Sequence, residues 1–374
     1  MNYVDMASAR KVVKPQKPSA ISPALTSTPL SATELGAQAR KAAEEILLAG
    51  QAENTLKSYR SALRYWAAWI QARYGMPLTL PVSVPVVVQF IVDHTARTKA
   101  GETVIELPQE IDERLVEAGF KGALGPLKMA TVTHRLYTLS KLHQLKHVAN
   151  PCDDADVRHL ISRAKRAAAK RGEMPTKKTA ATREPLEMML ATCDGSLQGI
   201  RDRALLLFAW ASGGRRRSEV AEATVEQLRK VADDLYLYRM HRSKTNQSGK
   251  ETSDKPLRGK AAEAMSAWLA AAGIKDGPLF RRLWKDRVGI GITPAAVADI
   301  VKRRAARAGI EGDWAGHSLR SGFVTEAGRR KIPLGDIMAL TEHRQAGTVM
   351  GYYRSGELFE SEVALLAERP VVSK

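Results

Sequence analysis

The chain contains 374 residues, with 58 Lys and Arg against 40 Asp and Glu, which gives a formal net charge of +18 at pH 7. This length accommodates two domains of ordinary size, each with its own hydrophobic core, and the charge favours a polyanionic partner, with nucleic acid ahead of an anionic membrane. The two cysteines, Cys152 and Cys193, have neither the spacing of a metal site nor the number of a disulfide framework, which is typical of a reducing compartment.

Residues 1–30 are rich in lysine, proline, serine and threonine and show no apolar periodicity. This composition predicts a disordered basic tail. The segment lacks the apolar stretch of a signal peptide, and no apolar run in the chain approaches the roughly twenty residues of a membrane span. We therefore expect a soluble protein in the cytoplasm that does not bind a membrane.

Residues 31–170 have the helical periodicity of an all-α domain, without strand signals. A capping box at Ser31 predicts the first helix, which ends at Gly50. The other predicted helices cover residues 56–74, 86–91, 130–145 and 154–170. Residues 97–126 are rich in glycine and mixed charge, so we interpret them as an insertion into a compact helical module.

Residues 171–182 are basic and extended, and we interpret them as a linker. The second domain, residues 183–374, is predicted to be mostly helical. Its clear strand signal covers residues 234–245, where alternating side chains lead into a polar turn at 246–249 and a return to Leu257. The predicted fold is mainly α with a small antiparallel β-sheet in the C-terminal domain.

Two predicted helices carry clusters of basic side chains. On the 56–74 helix the apolar positions share one face, while three cations lie elsewhere on the surface: Lys57, Arg60 and Arg64. The 293–309 helix has clear start and stop signals and carries four cations: Lys302, Arg303, Arg304 and Arg307. A solvated surface is the ordinary role of such residues. If these helices lie beside a phosphate-binding site, a second role is favoured: the cations of the first helix would contact DNA phosphates, and the second helix would dock in the major groove.

A group of polar side chains near the C-terminus has the composition of a phosphate site with a nucleophile. His317 and Arg320 are three residues apart on a predicted helix, so an imidazole and a guanidinium project from one face and can meet one anion. His343 can meet the same anion. Tyr352 follows it, and a phenol can attack phosphorus if its proton is removed and the developing charge is stabilised.

A second polar group follows an apolar run at residues 204–211, where Gly213 and Gly214 precede three arginines and Glu219. The order of arginine, lysine, His-x-x-Arg, histidine and tyrosine along the chain resembles the tyrosine recombinase, or phage integrase, family. The first catalytic arginine of that family lies in a Gly-x-Arg-x-Ser-Glu-hydrophobic pattern. The segment that begins at Gly214 matches this pattern, which identifies Arg216 among its neighbours.

The resemblance identifies further residues by their positions in the family's motifs. A local Arg-Ser-Lys-Thr sequence matches the setting of an essential lysine on a β-hairpin, which identifies Lys244, with Lys250 beyond the turn as the alternative. The spacing from His343 selects Tyr352 over its neighbour Tyr353. In the helical domain the matching positions are candidate DNA contacts: Lys57, Thr131 and His134.

The chemistry of phosphodiester cleavage explains why such residues occur together. Arg216 and Arg320 can each present a bidentate fork to the phosphate oxygens and neutralise the charge of a pentacoordinate phosphorane, so we expect neither a metal nor another cofactor. His317 and His343 supply further hydrogen bonds and can adjust to either protonation state near neutral pH.

The remaining predicted residues carry the covalent step. Tyr352 attacks phosphorus, Lys244 protonates the departing hydroxyl as general acid, and Glu219 orients neighbouring groups. The resemblance implies a 3′-phosphotyrosyl bond, a free 5′ hydroxyl and strand exchange through a Holliday junction. Because the covalent bond conserves the phosphoester energy, rejoining requires no ATP.

The resemblance also implies the partners and the source. The expected partners are double-stranded DNA with a specific recombination site, held in a two-domain clamp, and a homotetramer formed on that DNA, with accessory proteins as further candidates. A short C-terminal helix with an apolar face is expected either to dock on a neighbouring protomer or to pack on its own domain. Its apolar residues are Leu358, Phe359, Val363, Leu365 and Leu366. The expected source is a bacterial genome, a phage or a mobile element.

Two other functions could use the same residues. A type IB topoisomerase would share the nucleophile and the phosphate clamp but would reseal the same strand as a monomer, and the apolar C-terminal helix counts against it. A catalytically idle DNA-binding factor would keep only the fold, and covalent trapping on DNA separates it from both enzymes. The site-specific recombinase is favoured, because nucleophile, clamp and acid are all present.

Overall fold

The computed structural model describes residues 53–173, 177–240, 254–285 and 287–357. The chain divides into two compact units between residues 174 and 175. The predicted tail and the predicted helix that ends at Gly50 lie outside the described residues. The described residues are mainly helical with small antiparallel sheets, which confirms the predicted fold class. Among their helices, none is both long enough and apolar enough to cross a membrane.

In the described residues the first unit is built mainly from helices, and all of them except the one within residues 97–126 overlap a predicted helix. They are α1 (Glu53–Tyr74), α2 (Val84–His94), α3 (Gln109–Glu117), α4 (Met129–Leu145) and α5 (Ala155–Lys170). The expectation of an all-α domain is wrong in one detail, because the glycine-rich insertion contains a hairpin of two short antiparallel strands, β1 (Arg97–Lys99) and β2 (Glu102–Val104). Ala100 and Gly101 both have positive φ in its turn, as tight hairpins require.

An aromatic cluster forms the core of the first unit. Trp66 of α1 is completely buried and stacks on Phe90 of α2, with ring centroids 3.8 Å apart. Burying an indole N–H requires a hydrogen-bond partner. Trp66 donates to the backbone oxygen of Arg135 on α4, and Trp69 donates to Asp93 on α2. These bonds fix α1 against α2 and α4.

The second unit is also mainly helical. Its helices are α6 (Arg183–Ala191), α7 (Leu197–Ala211), α8 (Arg217–Glu222), α9 (Lys260–Ala272), α10 (Pro294–Arg307), α11 (Gly316–Arg329), α12 (Leu334–Thr341) and α13 (Ala346–Glu357). The side chain of Thr293 caps α10 by accepting from the backbone N–H of Ala296, as the Thr-Pro start signal predicts.

Two small sheets complete the second unit. In the first, β4 (Leu235–Tyr238) lies between β3 (Leu228–Ala232) and β5 (Lys255–Arg258) and is antiparallel to both. In the second, β6 (Arg281–Trp284) pairs with β7 (Arg287–Gly291). The predicted hairpin corresponds to the β4–β5 pair, whereas β3 and the β6–β7 pair were not predicted.

The core of the second unit surrounds α7. Leu205, Leu206 and Phe208 are completely buried, and the Phe208 ring contacts the rings of Tyr238 and Phe280 edge-on. A smaller apolar cluster holds α13 against α11 and α12. Its buried members are Val324, Ala327, Ile337, Val349 and Tyr353. These two clusters fix α7, which leads to Arg216, and α13, which carries Tyr352.

Candidate active site

A glycine turn joins α7 to the first group of predicted site residues. Gly213 and Gly214 have φ values of +97° and +67°, a region that residues with a Cβ adopt only at a cost. A Cβ on Gly214 would lie 2.5 Å from the Cα of Arg320. Glycine at this position therefore permits the turn to lie directly against α11.

Burial distinguishes the three arginines after this turn. Arg215 is 1% exposed, and its Nη2 donates to the backbone oxygen of Leu340 at 2.6 Å. Arg216 precedes α8, and its side chain is 22% exposed beside Glu219. Arg217 is exposed. Arg216 is thus the member that combines a fixed position with access to a ligand.

Glu219 holds Arg216 from two sides. Its carboxylate accepts from the backbone N–H of Arg216 at 3.0 Å and from the Arg216 guanidinium. Burial of Glu219 disfavours its charge, but the nearby charges of Arg215 and Arg216 outweigh burial and hold the pKa of this carboxyl below its ordinary value. Glu219 is therefore an ionised residue that orients the guanidinium, which agrees with its expected role.

Arg320 of α11 is only 3% exposed and has backbone oxygens as partners. It donates to Gly214 O at 2.9 Å and to Thr341 O at 2.7 Å. Burial, followed by the charge of Arg216, lowers the pKa of Arg320 to about 9, so the guanidinium is charged at neutral pH. Carbonyl oxygens orient this cation without cancelling its charge, which leaves the charge available to an anion.

His343 is bonded to the same guanidinium. Its Nε2 lies 3.1 Å from Arg320 Nη2, and its Nδ1 lies 2.7 Å from Thr341 Oγ1. Burial, followed by the charge of Arg320, lowers the pKa of His343 to about 4. His343 is therefore neutral at pH 7, and the tautomer with its proton on Nδ1 satisfies both bonds.

The two adjacent tyrosines of α13 have different surroundings. The Tyr352 hydroxyl lies 3.2 Å from His317 Nε2. Tyr353 is 8% exposed, and its hydroxyl donates to the backbone oxygen of Ile332 at 3.0 Å. Partial desolvation, followed by the charges of Arg320 and Arg216, lowers the pKa of His317. Tyr352 is thus the tyrosine that faces a neutral imidazole.

Lys244 and its alternative Lys250 lie outside the described residues. A different lysine, which the sequence interpretation missed, lies beneath the site. Lys255 of β5 is completely buried, and its Nζ lies 3.0 Å from Ala339 O and 3.3 Å from Glu342 Oε1. Its position in the alternating pattern of β5, where Leu257 is also buried, is the signal that could have identified it.

The predicted DNA contacts of the first unit lie on α1 and α4. Lys57, Arg60 and Arg64 are exposed on α1, as predicted. On α4, Thr131 is half-buried, and the His134 Nε2 lies 2.8 Å from the hydroxyl of Ser58 on α1. The predicted residues therefore lie on two helices that contact each other, and we call this helix pair the α1–α4 junction.

The basic cluster of α10 is divided between surface and interior. Lys302 and Arg307 are exposed, and the Arg303 side chain is 34% exposed. The expectation that Arg304 lies on the exposed face is wrong. Arg304 is completely buried, where it donates to the buried carboxylate of Asp202 at 2.8 Å and to Thr192 O at 2.6 Å.

Comparisons with known proteins indicate the family of the chain. Residues 180–357 match the model of the phage integrase family. The chain is 30% identical over 319 residues to an integrase/recombinase xerD homolog of Selenomonas ruminantium. The aligned region covers 83% of this chain and 84% of that protein. The chain is 23% identical over 326 residues to recombinase cre of Escherichia phage P1, which covers 81% of this chain and 84% of that protein.

A solved structure shares the fold. A lambda integrase fragment, crystallised as a dimer bound to a COC′ core site, superimposes with a TM-score of 0.51 at 16% identity, over 84% of this chain and 94% of that one. The sequence identity to the Selenomonas protein extends over most of both chains, beyond the matched residues of the family model. This chain therefore belongs to the phage integrase family of tyrosine recombinases.

Proposed function

We propose that this protein is a site-specific DNA recombinase that cleaves and rejoins DNA strands through a covalent bond between Tyr352 and a DNA phosphate. One observation carries the proposal: the Tyr352 hydroxyl lies 3.2 Å from the Nε2 of His317. His317 and Arg320 project from the same helix, α11, and the charges of Arg320 and Arg216 both act on the imidazole. Nucleophile, proton acceptor and anion-binding groups are thus present in one cluster.

The two guanidinium groups would bind the scissile phosphate. In-line attack on a phosphodiester builds negative charge on the non-bridging oxygens of a pentacoordinate phosphorane. Arg320, oriented by Gly214 O and Thr341 O, and Arg216, oriented by Glu219, can each donate two hydrogen bonds to those oxygens. Because both cations are oriented before DNA binds, little reorganisation accompanies the reaction, and we propose that it proceeds without a metal.

Proton transfer completes the cleavage step. The neutral imidazole of His317 accepts the phenolic proton, the Tyr352 oxygen forms a bond to phosphorus, and the bond from phosphorus to the 5′ oxygen breaks. We assign protonation of that leaving oxygen to Lys244, on the strength of its motif. The product is a 3′-phosphotyrosine and a free 5′ hydroxyl, and the reverse reaction with a 5′ hydroxyl reseals the strand without ATP.

His343 would act as a hydrogen-bond partner and not as a second base. Its Nε2 accepts from Arg320, and its Nδ1 lies next to Thr341 Oγ1. This geometry fixes the guanidinium plane between a backbone oxygen and an imidazole. We therefore propose that His343 acts by orienting Arg320 toward the phosphate.

Both units are proposed to bind double-stranded DNA. In the first unit, the DNA-binding helical domain of the proposal, the α1–α4 junction offers Lys57, Arg60, Arg64, Thr131 and His134. In the second, the catalytic domain, α10 offers Lys302, Arg303 and Arg307, while Arg304 is omitted because it is buried with Asp202. The formal charge of +18 favours such binding.

Strand exchange requires more than one protomer. We propose a homotetramer on two DNA duplexes, in which a 5′ hydroxyl from one duplex attacks the phosphotyrosine of the other through a Holliday junction. The apolar residues beyond α13, which lie outside the described residues, are the proposed contact between neighbouring protomers. The DNA-bound lambda integrase dimer, which shares the fold, is consistent with assembly on DNA.

Covalent capture tests the proposal. A nicked suicide substrate that carries a candidate site loses its 5′ hydroxyl fragment after cleavage and thereby traps the adduct. The wild-type chain and Tyr353→Phe should form a protease-sensitive adduct of low mobility, and Tyr352→Phe should form none. Absence of an adduct on DNA that the protein binds would favour an idle DNA-binding factor. An adduct accompanied by plasmid relaxation by the monomer, without recombination, would favour a topoisomerase.

A further inference from the structure

A short segment before α6 packs along the loop and helix that carry His317, within the second unit. We name residues 177–182 the strap. The backbone N–H of Thr179 donates to Asp313 O at 3.1 Å, its hydroxyl accepts from the Asp313 N–H at 2.9 Å, and the Ala181 N–H donates to Ser318 O at 2.8 Å. The strap therefore follows the loop that leads into α11, the helix that carries His317.

Close contacts at two glycines show how tightly the strap is seated. A Cβ on Gly322 of α11 would lie 1.9 Å from Ala181 O, and a Cβ on Gly312 would lie 2.6 Å from Thr179 Oγ1. The same Ala181 oxygen accepts a hydrogen bond of 3.0 Å from the Trp210 indole on α7. Because a backbone oxygen and a side-chain hydroxyl of the strap occupy the space that Cβ atoms at Gly322 and Gly312 would take, its position relative to α11 is fixed.

The first residue of the strap lies beside the proposed nucleophile. The Lys177 Nζ lies 5.3 Å from the centroid of the Tyr352 ring, within the range of about 6 Å at which a cation interacts with an aromatic face. The hydroxyl of the same ring lies 3.2 Å from His317 Nε2. The phenol thus has a proton acceptor at its oxygen and a cation near its ring.

We infer that Lys177 is a positioning residue of the cleavage reaction: it holds the Tyr352 ring toward His317 and stabilises the negative charge that the phenol acquires during attack. The inference rests on the proposed function, in which Tyr352 is the nucleophile. In this role Lys177 exchanges no proton. The phenolic proton moves to His317, and the electron pair of the phenol oxygen forms the bond to phosphorus.

The charge of Lys177, like its position, favours attack by the Tyr352 oxygen. A phenolate is stabilised by a neighbouring cation, and the attraction between a cation and an aromatic face persists in the neutral phenol. Of the charged and titratable groups around the ring, His317 contacts the hydroxyl, while Arg216 and Arg320 act on His317. Lys177 lies against the ring itself. Because Lys177 is exposed, we expect a modest effect on the rate, about threefold.

Single-turnover cleavage at saturating protein tests the inference. Lys177→Met should slow adduct formation about threefold at pH 7 and move the rise of the pH–rate profile to higher pH. Lys177→Arg should restore the wild-type rate because it keeps the cation. Lys275→Met, which removes one exposed lysine from the α9–β6 loop of the same unit, is the matched control and should react as the wild type does. Equal slowing by Lys177→Met and Lys275→Met would overturn the inference.

A spectroscopic measurement separates this inference from the function on which it rests. In the full chain without DNA, labelled with carbon-13 at the tyrosine Cζ, the Tyr352 signal can be identified among nine tyrosines by its loss in Tyr352→Phe. Its chemical shift at pH 7 should differ from the wild-type value in Lys177→Met and not in Lys275→Met, because only Lys177 lies against the ring. An unchanged chemical shift would contradict the inference. A wild-type chain that forms no adduct would instead contradict the proposed function, with the chemical shift still reporting on Lys177.

Discussion

Arg320 shows how a buried cation can be held in place without a carboxylate partner. Its guanidinium donates to two backbone oxygens, Gly214 O and Thr341 O, and contacts the neutral ring of His343. A carboxylate partner would neutralise it, whereas these dipoles only orient it. A charge buried in this way is costly without an anion, and the phosphate of bound DNA would supply that anion.

His94 of the first unit is a buried histidine, and the pKa shift of its imidazole predicts that acid destabilises the fold. It is 1% exposed, between Tyr65 Oη at 2.6 Å and Phe90 O at 2.7 Å. Burial lowers the pKa of His94 to about 3, whereas an unfolded histidine titrates near pH 6.5. Between these values the unfolded chain binds more protons. The free energy of unfolding should therefore fall as the pH is lowered, by about 3 kcal/mol between pH 6.5 and 4.

Urea denaturation at several pH values, followed by tryptophan fluorescence, measures this effect. The matched variant is His94→Gln, whose amide can keep both hydrogen bonds but does not titrate. Its urea midpoint should depend less on pH than the wild-type midpoint does over the same range. An identical pH dependence in the two proteins would mean that His94 contributes nothing to acid sensitivity.

For single residues, the sequence could identify the residue types of the candidate site. It could not show how two identical neighbours differ in their surroundings. The motifs selected Arg216 and Tyr352. Their neighbours Arg215 and Tyr353 are the same residue types, but in the structure they donate to distant backbone oxygens, Leu340 O and Ile332 O. Arg304 has the same local sequence context as its exposed neighbours and is buried because Asp202, far away in the chain, accepts its hydrogen bonds. Such differences arise from tertiary contacts that local patterns do not encode.

Elements with local start and stop signals were predicted well. Helix α10 occupies Pro294–Arg307, and the structure confirms its threonine cap. The strands β3, β6 and β7 were missed because they carry little apolar alternation: the side chains of β3 are largely exposed, and β6 and β7 contain the exposed residues Trp284 and Ile290. Their pairing within small sheets, and not their own composition, gives them their conformation.

The close contact between the glycine turn and α11 predicts that a larger residue in the turn impairs both stability and cleavage. Gly214→Ala places a Cβ at φ +67° and 2.5 Å from Arg320 Cα. The turn or the helix must then move, which should reduce the free energy of unfolding by about 2 kcal/mol and slow adduct formation about a hundredfold. Thermal denaturation and single-turnover cleavage measure the two effects.

Gly335→Ala provides the comparison, because a Cβ at that position of α12 meets no atom within 4 Å and the backbone has no positive φ. This variant should keep its cleavage rate and its stability, or gain slightly in stability from the better helix former. Equal cleavage rates for Gly214→Ala and Gly335→Ala would show that the close approach of the turn to α11 does not affect cleavage.

For the whole molecule, we expect binding of one DNA site and exchange between two sites to depend on different surfaces. Binding would depend on the basic surfaces of both units, and exchange would depend on contacts between protomers. Deletion of residues 357–374 should therefore abolish recombination of two sites while a single site is still bound in a mobility-shift assay. A truncated chain that recombines at the wild-type rate would exclude this segment as the contact between protomers.

The central claim is that Tyr352 forms the bond to DNA, and mass spectrometry of the captured adduct tests it most directly. Nuclease and protease digestion of the wild-type adduct should leave a nucleotide attached to the peptide that contains Tyr352 and Tyr353, and fragmentation should locate it on Tyr352 through a 3′ phosphate. Location of the nucleotide on Tyr353, or on any residue outside α13, would contradict the arrangement of His317 and Tyr352 on which the account rests.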